Sequence, residues 1–192
     1  MNKRVVLILG VCLAGAAANG RPGVAAQKAP PSRAEPAGAC RLIPAAAIRE
    51  AQGAKLIATR PSRVEHGGFV MSRCYFKAEP AVKSISLEVT RASAAAPGYA
   101  LQARWTRAFS GKKKAEEEGE EALRHAMPVA GLGKAAYWIG KGPVGALYVL
   151  GNHAYLRLSL GGSASRKEKV ASARGLLQIA LRRLQQTKTA SR

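Results

Sequence analysis

Aspartate is missing from this chain of 192 residues: its 11 acidic residues are all glutamates, set against 31 lysines and arginines. A Ser-His-Asp triad is therefore excluded, and glutamate alone is left to orient a catalytic histidine. No carboxylate at all occurs between Glu121 and Glu168. Histidine is scarce too; His66, His125 and His153 lie far apart, none with H-x-x-x-H spacing, and each reads as a loop residue. Cysteine is limited to Cys12, Cys40 and Cys74, and a thiol pair without neighbouring histidine or further cysteine falls short of the four ligands zinc requires. The longest apolar run, Val5 to Ala18, has 14 residues, fewer than the roughly 20 of a membrane span. There is no internal repeat and no G-x-S-x-G elbow. Ser110 and Lys113 fit S-x-x-K, but two fixed positions match often by chance, and S-D-N cannot follow without aspartate. The glutamates of 116–121 crowd into a polar run, which points to solvation rather than a glycosidase pair. Nothing here identifies a catalytic, cofactor-binding or metal-binding residue, and the expectation is a non-enzyme without cofactor.

What is present begins with a glycine-rich stretch, Met127 to Gly140, "MPVAGLGKAAYWIG". Gly131, Gly133 and Ala136 fit a loose G-x-G-x-x-A. A dinucleotide fingerprint needs a strand running into the glycines and a helix leaving them; here a helical, charged segment precedes Gly131 and a strand follows. The P-loop fails as well, with Pro128 in place of its first glycine and Ala135 in place of the magnesium-binding hydroxyl. The stretch is expected to be a helix-to-strand connection whose glycines permit a tight reversal.

The front of the chain has the layout of a secretory signal: Lys3 and Arg4, the apolar run, then small residues. Residues 1–18 are expected to be removed, with an alternative end at 26; an uncleaved anchor is the competing reading. Val11 breaks the tripeptide that would make Cys12 a lipid-anchored cysteine. Residues 19–39, rich in Ala, Pro and Gly, form an expected disordered linker, 40–187 a single domain, and 188–192 a disordered tail. In an oxidising compartment Cys40 and Cys74 read as one disulfide, worth roughly 3 to 4 kcal/mol, against the alternative of two buried thiols. Without Lys3 and Arg4 the balance is 29 cations to 11 acids, or +18. Export argues against nucleic acid as the counter-charge and for anionic lipid, lipopolysaccharide or acidic glycan, with solubility as the competing explanation for the charge.

Pattern and punctuation predict α+β. "CRLIPAAAIREAQG" is a short helix with Pro44 in its first turn and Gly53 as its left-handed cap. "KLIATRPS" is an edge strand ending at Pro61, followed by a turn through His66, Gly67 and Gly68 and the strand "GFVMSRCYFKA". "VKSISLEVTRA" alternates Ile85, Leu87 and Val89 with polar residues. "GYALQARWTRAFS" is a helix with Trp105 as a core anchor, and the charged block after it an exposed helix. Three strands follow, joined by turns at Gly140 to Gly145 and at Gly151-Asn152, the latter expected to be a two-residue hairpin turn. The last helix opens on a Ser165 to Glu168 capping box. Its stripe is Val170, Ala173, Leu176 or Leu177, Ala180, Leu181 and Leu184, and its polar face Arg166, Lys167, Arg174, Arg182 and Arg183. These elements make an antiparallel sheet of about five to six strands against two to three helices.

"ACRLIPAAAIREAQG", "SRCYF" and "VAGLGKAAYW", with a hairpin and a closing amphipathic helix, resemble small exported bacterial proteins of unknown function, frequently lipoproteins, with a PsbP-like α-β-α domain. Cys40, Cys74, Phe76 and Gly131 to Ala136 carry the resemblance, over about 40–185. It implies a sandwich fold and a periplasmic or secreted location and supplies no catalytic residue. The expected function is therefore an exported non-enzymatic domain that binds a protein partner or an anionic envelope component, with Arg166, Lys167, Arg174, Arg182 and Arg183 as its anion-binding face and no transmembrane helix in the mature chain. The alternative is a periplasmic small-molecule module in which Tyr137, Trp138, Tyr148 and Tyr155 line the concave face of the sheet.

Overall fold

The computed structural model describes residues 38–94, 101–109, 126–140 and 142–189. The expected signal segment, nearly all of the linker and the charged block with Ser110, Lys113, the 116–121 glutamates and His125 lie outside them.

The first helical segment is two helices rather than one. Proline disfavours helical geometry in the residue before it, so Ile43 is extended; α1 (Ala39–Leu42) stops there and α2 (Ala45–Gln52) starts anew from Pro44. Gly53 caps α2 in the left-handed region, as its sequence position predicts. Strand β1 (Lys55–His66) runs straight past Pro61. It is the edge of the sheet, the one place where a strand tolerates the missing N–H of proline. Gly67 and Gly68, both at positive φ, turn the chain into β2 (Phe69–Glu79), and β3 (Ile85–Ala92) follows. Helix α3 (Leu101–Phe109) leads towards β4 (Met127–Pro128), β5 (Ala135–Ile139), β6 (Gly145–Leu150) and β7 (Tyr155–Leu160), and α4 (Arg166–Thr189) closes the chain.

The seven strands of the described residues form one antiparallel sheet in the order β1-β2-β3-β7-β6-β5-β4. The fold is α+β with one strand more than expected, because the two residues of β4 are too few to show any period. The four helices among the described residues exceed the expected two to three because α1 stands apart from α2. The β6–β7 connection also differs. It spans four residues, 151–154, and is closed by the Gly151 N–H on the Ala154 carbonyl at 2.8 Å. Gly151 is not at positive φ, and Ala154 is drawn into the core.

Strand alternation divides the side chains between two faces. Cys74 and Phe76, Ile85, Leu87 and Val89, Leu156, Leu158 and Leu160, Leu147 and Val149, and Ala136 and Trp138 point to one face and are buried under α1, α2 and α4. The Cys40 and Cys74 sulfurs are bonded, with α-carbons 5.0 Å apart, and tie α1 to β2. In the 129–134 turn, Gly131 and Gly133 both sit at positive φ, and a β-carbon on Gly133 would lie 2.5 Å from the Leu150 carbonyl oxygen. Between them Leu132 reaches the core, and the stretch joins β4 to β5, a strand-to-strand reversal where a helix-to-strand connection is expected from sequence.

Candidate functional site

Helix α4 forms where the sequence places it. The Ser165 N–H donates to the Glu168 carboxylate at 2.8 Å, and the Glu168 N–H donates to Ser165 Oγ at 3.3 Å, which closes the capping box. Hydrogen bonding of the Glu168 carboxylate to Ser165, its hydroxyl first and its backbone N–H second, holds that carboxyl below its ordinary value. Ala173, Leu176, Leu177 and Ala180 are buried, and Val170, Leu181 and Leu184 pack against them half-buried.

The five cations predicted as one face are not brought together as one. At about 100° per residue around a helix, Lys167, Arg174 and Arg182 fall within a single outward quadrant, and all three are exposed. The Arg174 guanidinium rests against the reversal at Gly131. Arg183 lies on the opposite flank, half-buried, and donates to the Arg41 carbonyl at 2.8 Å. Arg166 stands at the helix start and lines a cleft there. The five, expected as the polar face opposite the apolar stripe, are instead divided between the flanks of α4 and its outer surface.

This layer is net positive, though no more so than the other described residues, whose ten lysines and arginines stand against Glu65, Glu79 and Glu88. Among the described side chains of α1, α2 and α4, Arg41, Arg49, Lys169 and the five predicted cations face only two carboxylates, Glu50 and Glu168. Glu168 is already committed to the cap. No described carboxylate lies within ion-pair distance of Lys167, Arg174 or Arg182. The cationic field of the layer is therefore little offset from within.

The opposite face of the sheet carries the tyrosines. Tyr137, Tyr148 and Tyr155 share it, while Trp138, grouped with them from sequence, alternates to the helical side and is buried there. The space above the tyrosines is taken by α3. The ring of Trp105, itself buried, lies 5.8 Å from Tyr137 and 5.6 Å from Tyr155, and Phe109 stacks on Tyr137 at 5.0 Å. One register row crosses six strands here, through Arg73, Glu88, Arg157, Tyr148, Tyr137 and Pro128. Arg73 donates to Glu88 at 2.6 Å, and Arg157 Nε donates to the Tyr148 hydroxyl at 3.0 Å. Burial first, then the neighbouring Tyr148 and Glu88, pushes the Tyr155 phenol up, so it stays neutral across the physiological range.

Lys169, absent from the residues expected at the site, is buried on the core side of α4. Its signal was available: Lys169, Ala173, Leu176 and Ala180 follow the helical repeat of the apolar stripe, and a lysine on such a stripe needs a polar partner. Among the described residues, no group of three or more His, Cys or Glu could hold a metal ion, and no helix is long and apolar enough to cross a membrane. No protein-family model, curated protein or solved structure matches the chain.

Proposed function

We propose that this protein is an exported, non-enzymatic binding domain whose helical layer docks on an anionic component of the cell envelope, presented as a surface of phosphate-bearing headgroups. The observation that carries the reading is that Lys167, Arg174 and Arg182 share one exposed quadrant of α4, with no described carboxylate within ion-pair distance of them. Cations arranged in this way attract a polyanion over a Debye length without a tailored pocket. The Cys40–Cys74 bridge suits an oxidising compartment, and the resemblance to PsbP-like exported proteins implies the same setting.

Binding to vesicles of phosphatidylglycerol and of phosphatidylcholine, followed as salt rises, tests the reading. Binding is expected only to the anionic vesicles and falls steeply towards about 0.15 M salt, where the Debye length is about 8 Å. Equal binding to both vesicles, or indifference to salt, would show that the charge serves solubility instead.

A further inference from the structure

At the end of the sheet where β2, β5 and β7 finish, the register brings three connections together: 80–84 between β2 and β3, 142–144 before β6, and 161–165 between β7 and α4. They abut one another. A β-carbon on Gly161 would collide with the Val82 carbonyl oxygen, and residues 142–144 and 162–166 line one cleft. The buried Lys169 braces the turn before β6 from α4, its Nζ donating to the Gly142 and Pro143 carbonyls, both at 3.0 Å.

Turns are built mainly from Gly, Pro, Asn, Asp and Ser, and the glycines, prolines and serines of these connections serve that purpose. Val82 and Val144 do not. They are 54 % and 60 % exposed and bury little for the fold. One such valine alone would need no explanation, but with the exposed Pro80, Ala81, Pro143 and Ala164 of the same connections the two make this end of the sheet apolar. Its collar is cationic: Lys83 follows Val82, and Arg166 and Lys167 close the third connection. No acidic residue occurs in 80–84, 142–145 or 161–167. Glu79 and Glu168 stand just outside, and Glu168 is held in the cap. Among the described residues, no carboxylate lies within ion-pair distance of Lys83, Arg166 or Lys167.

Apolar tips ringed by cations suit the boundary of an anionic bilayer, where apolar area is buried against acyl chains while cationic heads stay level with the phosphates. An apolar groove on a protein would match the valines and leave the cations unused. Lys167 belongs both to the collar and to the outward quadrant of α4, so the apolar end and the cationic surface of the helix are continuous. We infer that this end of the sheet enters the bilayer, with Val82 and Val144 in the boundary between headgroups and acyl chains and Lys83, Arg166 and Lys167 at the phosphates. The inference rests on the vesicle-binding reading above and adds an orientation to it, with the start of α4 lowest.

In the exported protein, Val82→Trp and Val144→Trp each add an exposed indole to a chain whose own Trp105 and Trp138 are buried. On phosphatidylglycerol vesicles at low salt, both added indoles are expected to shift to shorter emission wavelength and to be quenched by brominated acyl chains. Val64→Trp is the control: Val64 is 58 % exposed and lies at the other end of β1, beside the turn into β2, so its emission is expected to stay in place. Val82→Ser combined with Val144→Ser is expected to weaken vesicle binding about 3- to 10-fold with the melting temperature kept. Binding without quenching at positions 82 and 144, equal quenching at position 64, or wild-type affinity in the serine double variant overturns the orientation and leaves the outward cations of α4 as the contact. Failure of the unaltered protein to bind anionic vesicles overturns both readings.

Discussion

On the face that meets α1, α2 and α4, the sheet presents leucine, isoleucine and valine along β3, β7 and most of β6, flanked by Cys74, Phe76, Ala136 and Trp138, and the Cys40–Cys74 bond pins α1 to it. On the face that meets α3, the same strands present Arg73, Glu88, Arg157 and three tyrosines, covered by a nine-residue helix through Trp105 and Phe109. The hydroxyls of Thr90 and Ser159, buried on that side, have no partner among the described residues. Aliphatic packing is tight and intolerant of missing volume. A tyrosine and arginine surface can exchange one set of stacking and hydrogen-bond partners for another. The difference places the stability of the molecule on one side of the sheet and its adaptable contacts on the other.

The first way to break the comparison is to cut into the aliphatic face. Leu158 is fully buried in the central strand β7, and Leu158→Ala is expected to cost about 2 to 5 kcal/mol in urea unfolding. Removing the bridge with Cys40→Ser and Cys74→Ser is expected to cost about 3 kcal/mol, read in the same assay. A loss well under 1 kcal/mol from either variant would show that the stability lies elsewhere.

Trp105→Ala sharpens the contrast. Its effect is expected to stay local: faster amide exchange in α3 and altered tyrosine fluorescence, with the amides of β3 and β7 as protected as before. Exchange rising equally across the central strands would make the two faces one cooperative unit.

Legibility followed the same division. Face one was readable because Ile85, Leu87 and Val89, and Leu156, Leu158 and Leu160, alternate cleanly, and because Ser165 and Glu168 mark a helix start by chemistry alone. The reversal at Gly131 and Gly133 was readable from the absence of a helix after the glycines. β4 was not, since two residues carry no period, and neither was the continuation of β1 through Pro61, which depends on β1 being an edge, a tertiary fact. At the candidate site, Lys167, Arg174 and Arg182 could be found by helical angle. The parting of Trp138 from Tyr137 was implicit in strand alternation, yet seeing it meant weighing register above residue type. Lys169 needed a buried lysine on an apolar stripe to be treated as a signal in its own right.

Smaller effects test the helix start and the register row. Ser165→Ala is expected to cost about 0.5 to 2 kcal/mol at neutral pH. The folded chain holds the Glu168 carboxyl below its ordinary 4.5, so that group's contribution is complete above pH 4.5 and fades as pH falls through its lower folded value. The gap between wild type and Ser165→Ala should therefore narrow in acid, and a gap that widens would contradict the capping account. Glu88→Gln breaks the 2.6 Å pair with Arg73. Because Arg73 is half-exposed, the expected loss is only about 0.5 to 1 kcal/mol, measurable by thermal unfolding.

The most direct test of the central claim is sedimentation of the triple variant Lys167→Gln, Arg174→Gln and Arg182→Gln with phosphatidylglycerol vesicles at low salt. Glutamine is nearly as good a helix former as lysine or arginine, so α4 should stay folded while its outward charge is lost. The account predicts that binding falls at least about tenfold while the melting temperature is kept. Wild-type affinity in the triple variant would contradict it.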